Sequence, residues 1–105
     1  ERAGPAYVAA KHGVLGLTRQ AAVQYADRGV RINAVSPGPT RTAVSDALVA
    51  EGPAAVQAAL AGLNPRGEFI TVEQVAATVA FLCSPAAEMI NGHDIVIDGG
   101  QTAKL

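Results

Sequence analysis

The chain is poor in charged and in aromatic side chains. Of its 105 residues, 16% are charged and 4% are aromatic, and tryptophan is missing. A small soluble domain ordinarily carries about 25% charged residues, so this chain has ample material for a core and little polar surface to cover it. We therefore expect some apolar faces to meet another segment or a second subunit.

The positive charges are too few and too scattered to make a surface for nucleic acid. Eight Lys and Arg residues stand against nine Asp and Glu residues, which gives a formal net charge of -1. A phosphate backbone or an anionic membrane is bound by clustered cations, and no apolar run has the length of a membrane span. We predict neither a nucleic-acid partner nor a membrane partner.

A single cysteine, Cys83, excludes an internal disulfide. A lone thiol is typical of a reducing compartment, so we predict a cytoplasmic protein in which Cys83 is a small, buried apolar side chain. The two histidines, His12 and His93, have no partners at metal-ligand spacing, and no G-x-S-x-G turn surrounds a serine. The sequence predicts no metal site and no serine-hydrolase triad.

The strongest sign of chemistry is the pair Tyr7 and Lys11, at the start of a helical pattern. Four residues make about one helical turn, so the phenol and the ammonium should lie on one face. A positive charge beside a phenol favours its ionised form, and a phenol in that setting can serve as a general acid or base. Tyrosine and lysine at this spacing also occur on ordinary surface helices, so the pair gains weight only from its context.

The periodicity of the sequence predicts the order helix, strand, helical insertion, helix, strand. The expected elements are a helix from about 6 to 28, a strand at 30–35, helical patches at 43–50 and 53–61, a helix that starts at the T-x-x-Q capping box of 71–74, and a strand at 94–98. Apolar residues at Val14, Leu17, Ala21 and Tyr25 predict that the first helix buries one face, and Gly29 is its expected stop.

Strand–helix–strand units of this length favour parallel pairing with a right-handed crossover, so we predict an α/β fold. Ligands of such sheets bind beyond the carboxyl ends of the strands, and Pro37 and Gly38 follow the first strand. Tyr7 precedes that strand, so the pattern alone leaves open whether it faces the same place.

Asp98 is predicted to be a turn residue at the end of the last strand. Arg41 and Arg66 flank the insertion, where they could meet an anion or lie in solvent.

Four blocks, in this order, closely resemble the short-chain dehydrogenase/reductase family: YVAAKHGVLGLTR from Tyr7, RINAVSPGPTRT from Arg31, FLCSPAAE from Phe81 and NGHDIVIDGG from Asn91. The resemblance runs from about residue 6 to residue 100. It implies the C-terminal part of a Rossmann-like, doubly wound parallel sheet, with a substrate-loop insertion at about 42–67. It also implies that the N-terminal dinucleotide-binding half of such an enzyme is absent from this sequence.

The resemblance implies an enzyme that uses NAD or NADP to interconvert a secondary alcohol and a ketone. Tyr7 would exchange the proton with the substrate, and Lys11 would assist it and hold the cofactor ribose. The three residues between them are more similar to the alcohol dehydrogenases and carbonyl reductases of the family than to its enoyl reductases. The implied cofactor-binding residues are Tyr7, Lys11, Pro37, Gly38, Thr40 and Thr42. Relatives of this kind form homodimers or homotetramers.

Some family motifs are missing, and this leaves alternatives open. The Gly-rich loop, the catalytic serine and the active-site asparagine of the family precede the tyrosine, and Asn33 belongs to a later strand motif, where its expected role is structural. The isolated chain should bind a dinucleotide poorly, because it has no Gly-rich turn for the pyrophosphate. It could instead be an inactive fragment or an interaction module that buries its open face on another chain. The third possibility is an epimerase or dehydratase of the extended type.

Overall fold

The fold is known from a computed structural model that describes residues 4–103. Its helices and strands are, in chain order, α1 (Pro5–Gln24), β1 (Ala34–Pro37), α2 (Asp46–Ala50), α3 (Pro53–Ala61), α4 (Val72–Leu82) and β2 (Asp94–Ile97). The two strands pair with each other, and the hydrogen bonds from the Ala34 N–H to the His93 carbonyl and from the Gly38 N–H to the Ile97 carbonyl show that they run parallel. The predicted α/β fold with parallel strands is confirmed.

The chain forms two compact units. The first contains the chain up to Ala34 together with Leu82–Ile95, and the second contains Val35–Phe81 together with the chain from Val96. Among the described residues, every helix is too short or too polar to serve as a membrane span.

In the first unit, α1 begins as its sequence predicts and ends earlier. Pro5 occupies the first turn, where its missing N–H costs no hydrogen bond. After Gln24 the chain tightens into a 3-10 turn at Ala26–Arg28, which Gly29 closes with a left-handed φ of 73°. The expected helix of 6–28 is therefore an α-helix followed by a tighter turn.

The apolar stripe of α1 is half exposed and half partly buried, so the prediction that it forms a buried face is wrong for this chain. Val14 is 54% exposed and Leu17 is 68% exposed, whereas the buried residues of α1 are Thr18 and Ala22. The Asn91 side chain donates a hydrogen bond to the Ala22 carbonyl at 3.0 Å. Periodicity shows which helix face is apolar, but it does not show whether the partner of that face lies in the same chain.

The first strand starts later than its β-branched residues predict. Instead of pairing in a ladder, the Ile32 N–H donates to the Asn91 side chain at 2.9 Å and the Ile32 carbonyl accepts from the Gly92 N–H at 2.8 Å. Asn33 donates to the Ile90 carbonyl and accepts from the His93 N–H, in line with its predicted structural role. Side-chain amides thus replace strand hydrogen bonds ahead of β1.

The second unit contains the helical insertion and most of α4. The first helical patch divides into a 3-10 turn at Ala43–Ser45 and α2, and the second has the predicted bounds of α3. The predicted capping box of α4 is confirmed, because the Thr71 N–H donates to Gln74 Oε1 at 2.9 Å and the Gln74 N–H donates to Thr71 Oγ1 at 3.0 Å. Cys83, just beyond α4, is exposed, so the prediction that it is buried is wrong.

Candidate active site

Tyr7 and Lys11 lie one turn apart on α1, as the spacing predicts. The Lys11 ammonium stands over the Tyr7 ring, with Nζ 5.4 Å from the ring centroid. Tyr7 is 57% exposed, and a cation over an aromatic ring at an exposed site is worth about 0.5–1 kcal/mol. The helix alone therefore brings the phenol and the positive charge together, with no help from the rest of the chain.

The histidine next to this pair takes no part in a cluster. His12 Nδ1 lies 2.9 Å from the Val8 carbonyl oxygen, which can only accept, so Nδ1 donates to the helix backbone. No group of three or more His, Cys, Asp or Glu side chains between residues 4 and 103 could hold a metal ion.

The loop that follows β1 is held close to the turn that follows β2. A Cβ added at Gly38 would lie 2.9 Å from Asp98 Cβ and 3.2 Å from Asp98 Cα, which is too near for any side chain without movement. Gly38 is thus explained by a close approach to Asp98. The Gly38 carbonyl accepts a hydrogen bond from Thr40 Oγ1 at 2.9 Å, so this hydroxyl folds back on its own loop.

A short parallel bridge between Thr40 and Ile70 fixes the far side of the same loop. The Ile70 N–H donates to the Pro39 carbonyl at 2.9 Å, and the Ile70 carbonyl accepts from the Arg41 N–H at 2.8 Å. Ile70 is 5% exposed, so the bridge is protected from water. The backbone on either side of Thr40 therefore has defined partners.

Thr42 and Arg41 begin the helical insertion. The Thr42 N–H donates to Ser45 Oγ at 3.1 Å, and the Ser45 N–H donates to the Thr42 carbonyl at 3.0 Å. The Arg41 guanidinium donates to Asp46 at 2.5 Å. Arg66 pairs with Glu68 at 3.2 Å, and both of these side chains are largely exposed. Such surface pairs contribute about 0–1 kcal/mol, so each arginine has a carboxylate partner without a large gain in stability.

Asp98 is a turn residue, as its position before two glycines predicts. One carboxylate oxygen accepts from the Gly100 N–H at 3.0 Å and the other accepts from the Thr102 N–H at 2.9 Å. Hydrogen bonds from Thr102 first, and then from Gly100 and Gln101, lower the pKa of Asp98 below its ordinary value, although desolvation opposes the shift. The carboxylate is used to hold the turn after β2.

The sequence does not single out Asn64, yet it is the largest side chain that the described residues bury completely. The Asn-Pro pair at 64–65 indicates a turn after α3. Nothing in that local signal reveals that the Asn64 amide is buried and bonded on both sides. Its partners, Arg66 and Glu68, come from the chain on its C-terminal side.

The structure groups the predicted site residues in two sets. Tyr7 and Lys11 come together within the first unit, and the other four lie in the second unit, from the last residue of β1 to the start of the helical insertion, at Pro37, Gly38, Thr40 and Thr42. The roles predicted for the six residues remain predictions.

Comparison with known proteins places the chain in a family. Residues 1–102 match a family model described as enoyl-(acyl carrier protein) reductase. Cyclohexanol dehydrogenase from Acinetobacter sp. (strain SE19) is 47% identical over 98 residues, which make up 93% of this chain and 36% of that protein. The chain therefore spans a little over one third of that relative. The two names refer to different reactions, so the matches fix the family and leave the reaction open.

Solved structures of similar fold support the same assignment. A 4-hydroxyisoleucine dehydrogenase complexed with NADH has a TM-score of 0.83 and 31% identity over 95% of this chain and 40% of its own. A protein from Agrobacterium tumefaciens, provisionally assigned as a 2-deoxy-D-gluconate 3-dehydrogenase, was solved with bound NADP; it has a TM-score of 0.82 and 38% identity over 98% of this chain and 42% of its own. Likeness at this level confirms the predicted Rossmann-like α/β fold.

Proposed function

The chain belongs to the short-chain dehydrogenase/reductase family, and we propose that it is the C-terminal portion of an NAD(P)-dependent oxidoreductase that interconverts a secondary alcohol and a ketone. The observation that carries the proposal is the Lys11 ammonium over the Tyr7 ring in a chain of this family. The relative named cyclohexanol dehydrogenase supports an alcohol of this class as the substrate.

In this proposal Tyr7 moves the proton. Its Oη accepts the hydroxyl proton of the alcohol during oxidation and returns a proton to the ketone oxygen during reduction. Lys11 places a positive charge over the ring of Tyr7. A positioned general acid or base contributes about 10²- to 10⁴-fold to the rate, which sets the size of the expected loss when Oη is removed.

The residues present fit one part of a nicotinamide dinucleotide. When bound, the nicotinamide supplies the hydride donor or acceptor. Lys11 would hold the ribose, and the loop from Pro37 to Thr42 would hold the nicotinamide end. The Thr40–Ile70 bridge fixes the backbone of this loop, so the loop would not need to be ordered when the cofactor binds. The sequence has no Gly-rich turn for the pyrophosphate, so we expect weak dinucleotide binding by the isolated chain.

The helical insertion at 42–67 is proposed to cover the substrate. Its helices α2 and α3 present apolar side chains such as Val49 and Val56, which line a cavity of about 520 Å³ together with Phe69. These apolar side chains suit the carbon skeleton of an alcohol or ketone, and the charged residues Arg41, Arg66 and Glu68 line the same cavity. Cytoplasmic location and assembly into a homodimer or homotetramer belong to the same proposal.

The test is Tyr7→Phe in the complete protein that contains this chain. We expect kcat for a secondary alcohol, followed by nicotinamide absorbance, to fall at least about 10²-fold. Tyr25→Phe is a matched control, because the Arg28 guanidinium stands over the Tyr25 ring at 5.6 Å in the same region of the chain. Activity of the Tyr7 variant within a few fold of the parent would refute the assignment.

A second candidate function is an interaction module without activity of its own. It is favoured by the exposure of large apolar side chains in both units, with Val23 at 81%, Val44 at 94% and Met89 at 92%. Exposed apolar side chains mark a site for a partner where they form a contiguous patch. Sedimentation of the isolated chain tests this candidate: a stable monomer would count against it. An epimerase or dehydratase of the extended type, which shares the tyrosine and lysine pair, would be revealed by isomerised or dehydrated product without net oxidation.

A further inference from the structure

Asn64 is a side chain that the second unit buries, with a hydrogen bond at each end of its amide. It is 2% exposed. Its Oδ1 accepts a hydrogen bond from the Arg66 N–H at 2.8 Å, and its Nδ2 donates to the Glu68 carbonyl at 2.9 Å. One N–H and one carbonyl fix the two ends of the amide, so its orientation is determined.

One side of this amide rests against the turn after β2. A Cβ at Gly99 would lie 2.7 Å from Asn64 Nδ2 and 2.8 Å from Asn64 Cγ, so the amide fills the space that a side chain would need. Gly99 has a φ of 62°, which favours glycine for a second reason. Asp98 holds the same turn through its bonds to Gly100 and Thr102. The amide therefore packs on a turn whose own conformation is fixed.

On its other side, the amide bonds to the segment that pairs with the loop of Thr40. The Glu68 carbonyl, which Asn64 holds, is two residues before Ile70. Ile70 is the residue that bonds to the backbone of Pro39 and Arg41. A shift of the segment at 66–70 would thus disturb the backbone hydrogen bonds on both sides of Thr40.

We propose that Asn64 is a positioning residue that joins the Asp98–Gly100 turn to the segment at 66–70 and thereby holds the loop of Thr40 in place. Its amide touches the turn on one side and bonds to the segment on the other. The consequence for cofactor binding rests on the proposed function, whereas the mechanical link does not.

Common replacements do not reproduce both contacts of Asn64. The substitution Asn64→Asp would turn a second acceptor toward the Glu68 carbonyl, and Asn64→Leu would leave the Arg66 N–H and the Glu68 carbonyl without partners. The side chain introduced by Asn64→Gln is longer by one methylene and would press on Gly99. The site therefore requires an acceptor and a donor at the length of asparagine.

The first experiment is amide hydrogen exchange on the complete protein with Asn64→Ala. We expect exchange at the Ile70 and Arg41 amides to accelerate by about tenfold or more, because the segment that pairs with the loop loses its anchor. Asn91→Ala is the matched control, since Asn91 also accepts from one N–H, that of Ile32, and donates to one carbonyl, that of Ala22. The control should leave the Ile70 and Arg41 amides within about twofold of the parent.

Asn64→Asp tests the two hydrogen bonds of the amide separately. It keeps the shape of the side chain and the acceptor for the Arg66 N–H, and it loses the donor to Glu68. We expect protection of the Arg66 amide to persist while that of Ile70 falls. Unchanged exchange at Ile70 and Arg41 in both variants would overturn the proposal, and so would acceleration of every amide alike.

Kinetics supply the second readout. In the Asn64 variants we expect KM for the nicotinamide cofactor to rise about fivefold to tenfold while kcat stays within about threefold, because the loop is misplaced and the proton-transfer groups are not. A fall in kcat with unchanged cofactor KM would contradict the positioning role. If the parent protein shows no dehydrogenase activity, the proposed function fails, and the exchange experiment still decides whether Asn64 holds the loop.

Discussion

The two units of the chain hold their candidate residues in different ways. In the first, Tyr7 and Lys11 are neighbours because they are one turn apart on an exposed helix, and no contact distant in the sequence is needed to bring them together. In the second, the loop around Gly38 and Thr40 owes its shape to Ile70 and Asp98, which lie about 30 and 60 residues further on. The proposed proton-transfer pair thus depends on residues close together in the sequence, and the proposed cofactor loop is non-local, because it depends on residues far apart in the sequence.

This difference predicts how each region responds to substitution. Substitution of Tyr7 or Lys11 should lower the reaction rate and leave the free energy of unfolding almost unchanged, because these side chains are exposed. Changes in the second unit should lower stability, because buried contacts are lost or overfilled.

The largest effect is expected from Lys11→Met in the complete protein. Removal of the charge should lower kcat/KM about 10²-fold, as loss of one electrostatic stabiliser commonly does, while the melting temperature stays within about 2 °C. Arg28→Met is the control, since Arg28 stands over the Tyr25 ring in a similar way. Steady-state kinetics and thermal unfolding measure both quantities. Equal losses in the two variants would show that the Tyr7 pair has no special role.

The next effect is expected from Gly38→Ala, measured by urea unfolding of the 105-residue chain. The new methyl group would meet Asp98 Cβ at 2.9 Å, and overpacking of this kind costs about 1–3 kcal/mol in the free energy of unfolding. Gly16→Ala in α1 is the matched control, because nothing lies within 4 Å of its added Cβ. Gly16→Ala should raise the free energy of unfolding by up to about 1 kcal/mol. A loss of stability for Gly38→Ala with a gain for Gly16→Ala would support the difference between the two units, and two losses of similar size would contradict it.

The same division explains what the sequence could predict. The Tyr7–Lys11 contact, the capping box of Thr71 and Gln74, and the turn role of Asp98 rest on residues at most four apart, and all three are confirmed as geometry. Fold class followed from the order of the elements and from the family resemblance. These features need no knowledge of distant partners.

The predictions that failed all depended on a partner remote in the sequence. The burial of Leu17 and Cys83 could not be judged from periodicity, because burial requires a surface to pack on. The start of β1 was displaced by the side chain of Asn91, 59 residues away from Ile32. Asn64 gave only the signal of an Asn-Pro turn, and its burial depends on the turn at Gly99.

The smallest effect is expected from Asp98→Asn, and it should appear only in acid. Because hydrogen bonds hold the pKa of Asp98 below its ordinary value in the folded chain, the folded state binds the proton less readily than the unfolded state does. The stabilisation is therefore present above the unfolded pKa of about 3.9 and is lost as the pH falls through the folded pKa.

The asparagine variant has no charge at this position, so it should lack this component of the pH dependence. Urea unfolding of both chains between about pH 5 and pH 2 measures the difference in their free energies of unfolding. That difference should shrink as the pH falls. A difference that stays constant over this range would mean that the charge of Asp98 contributes nothing to the stability of the turn, and that the packing of Asp98 against Gly38 is its whole contribution to the non-local region.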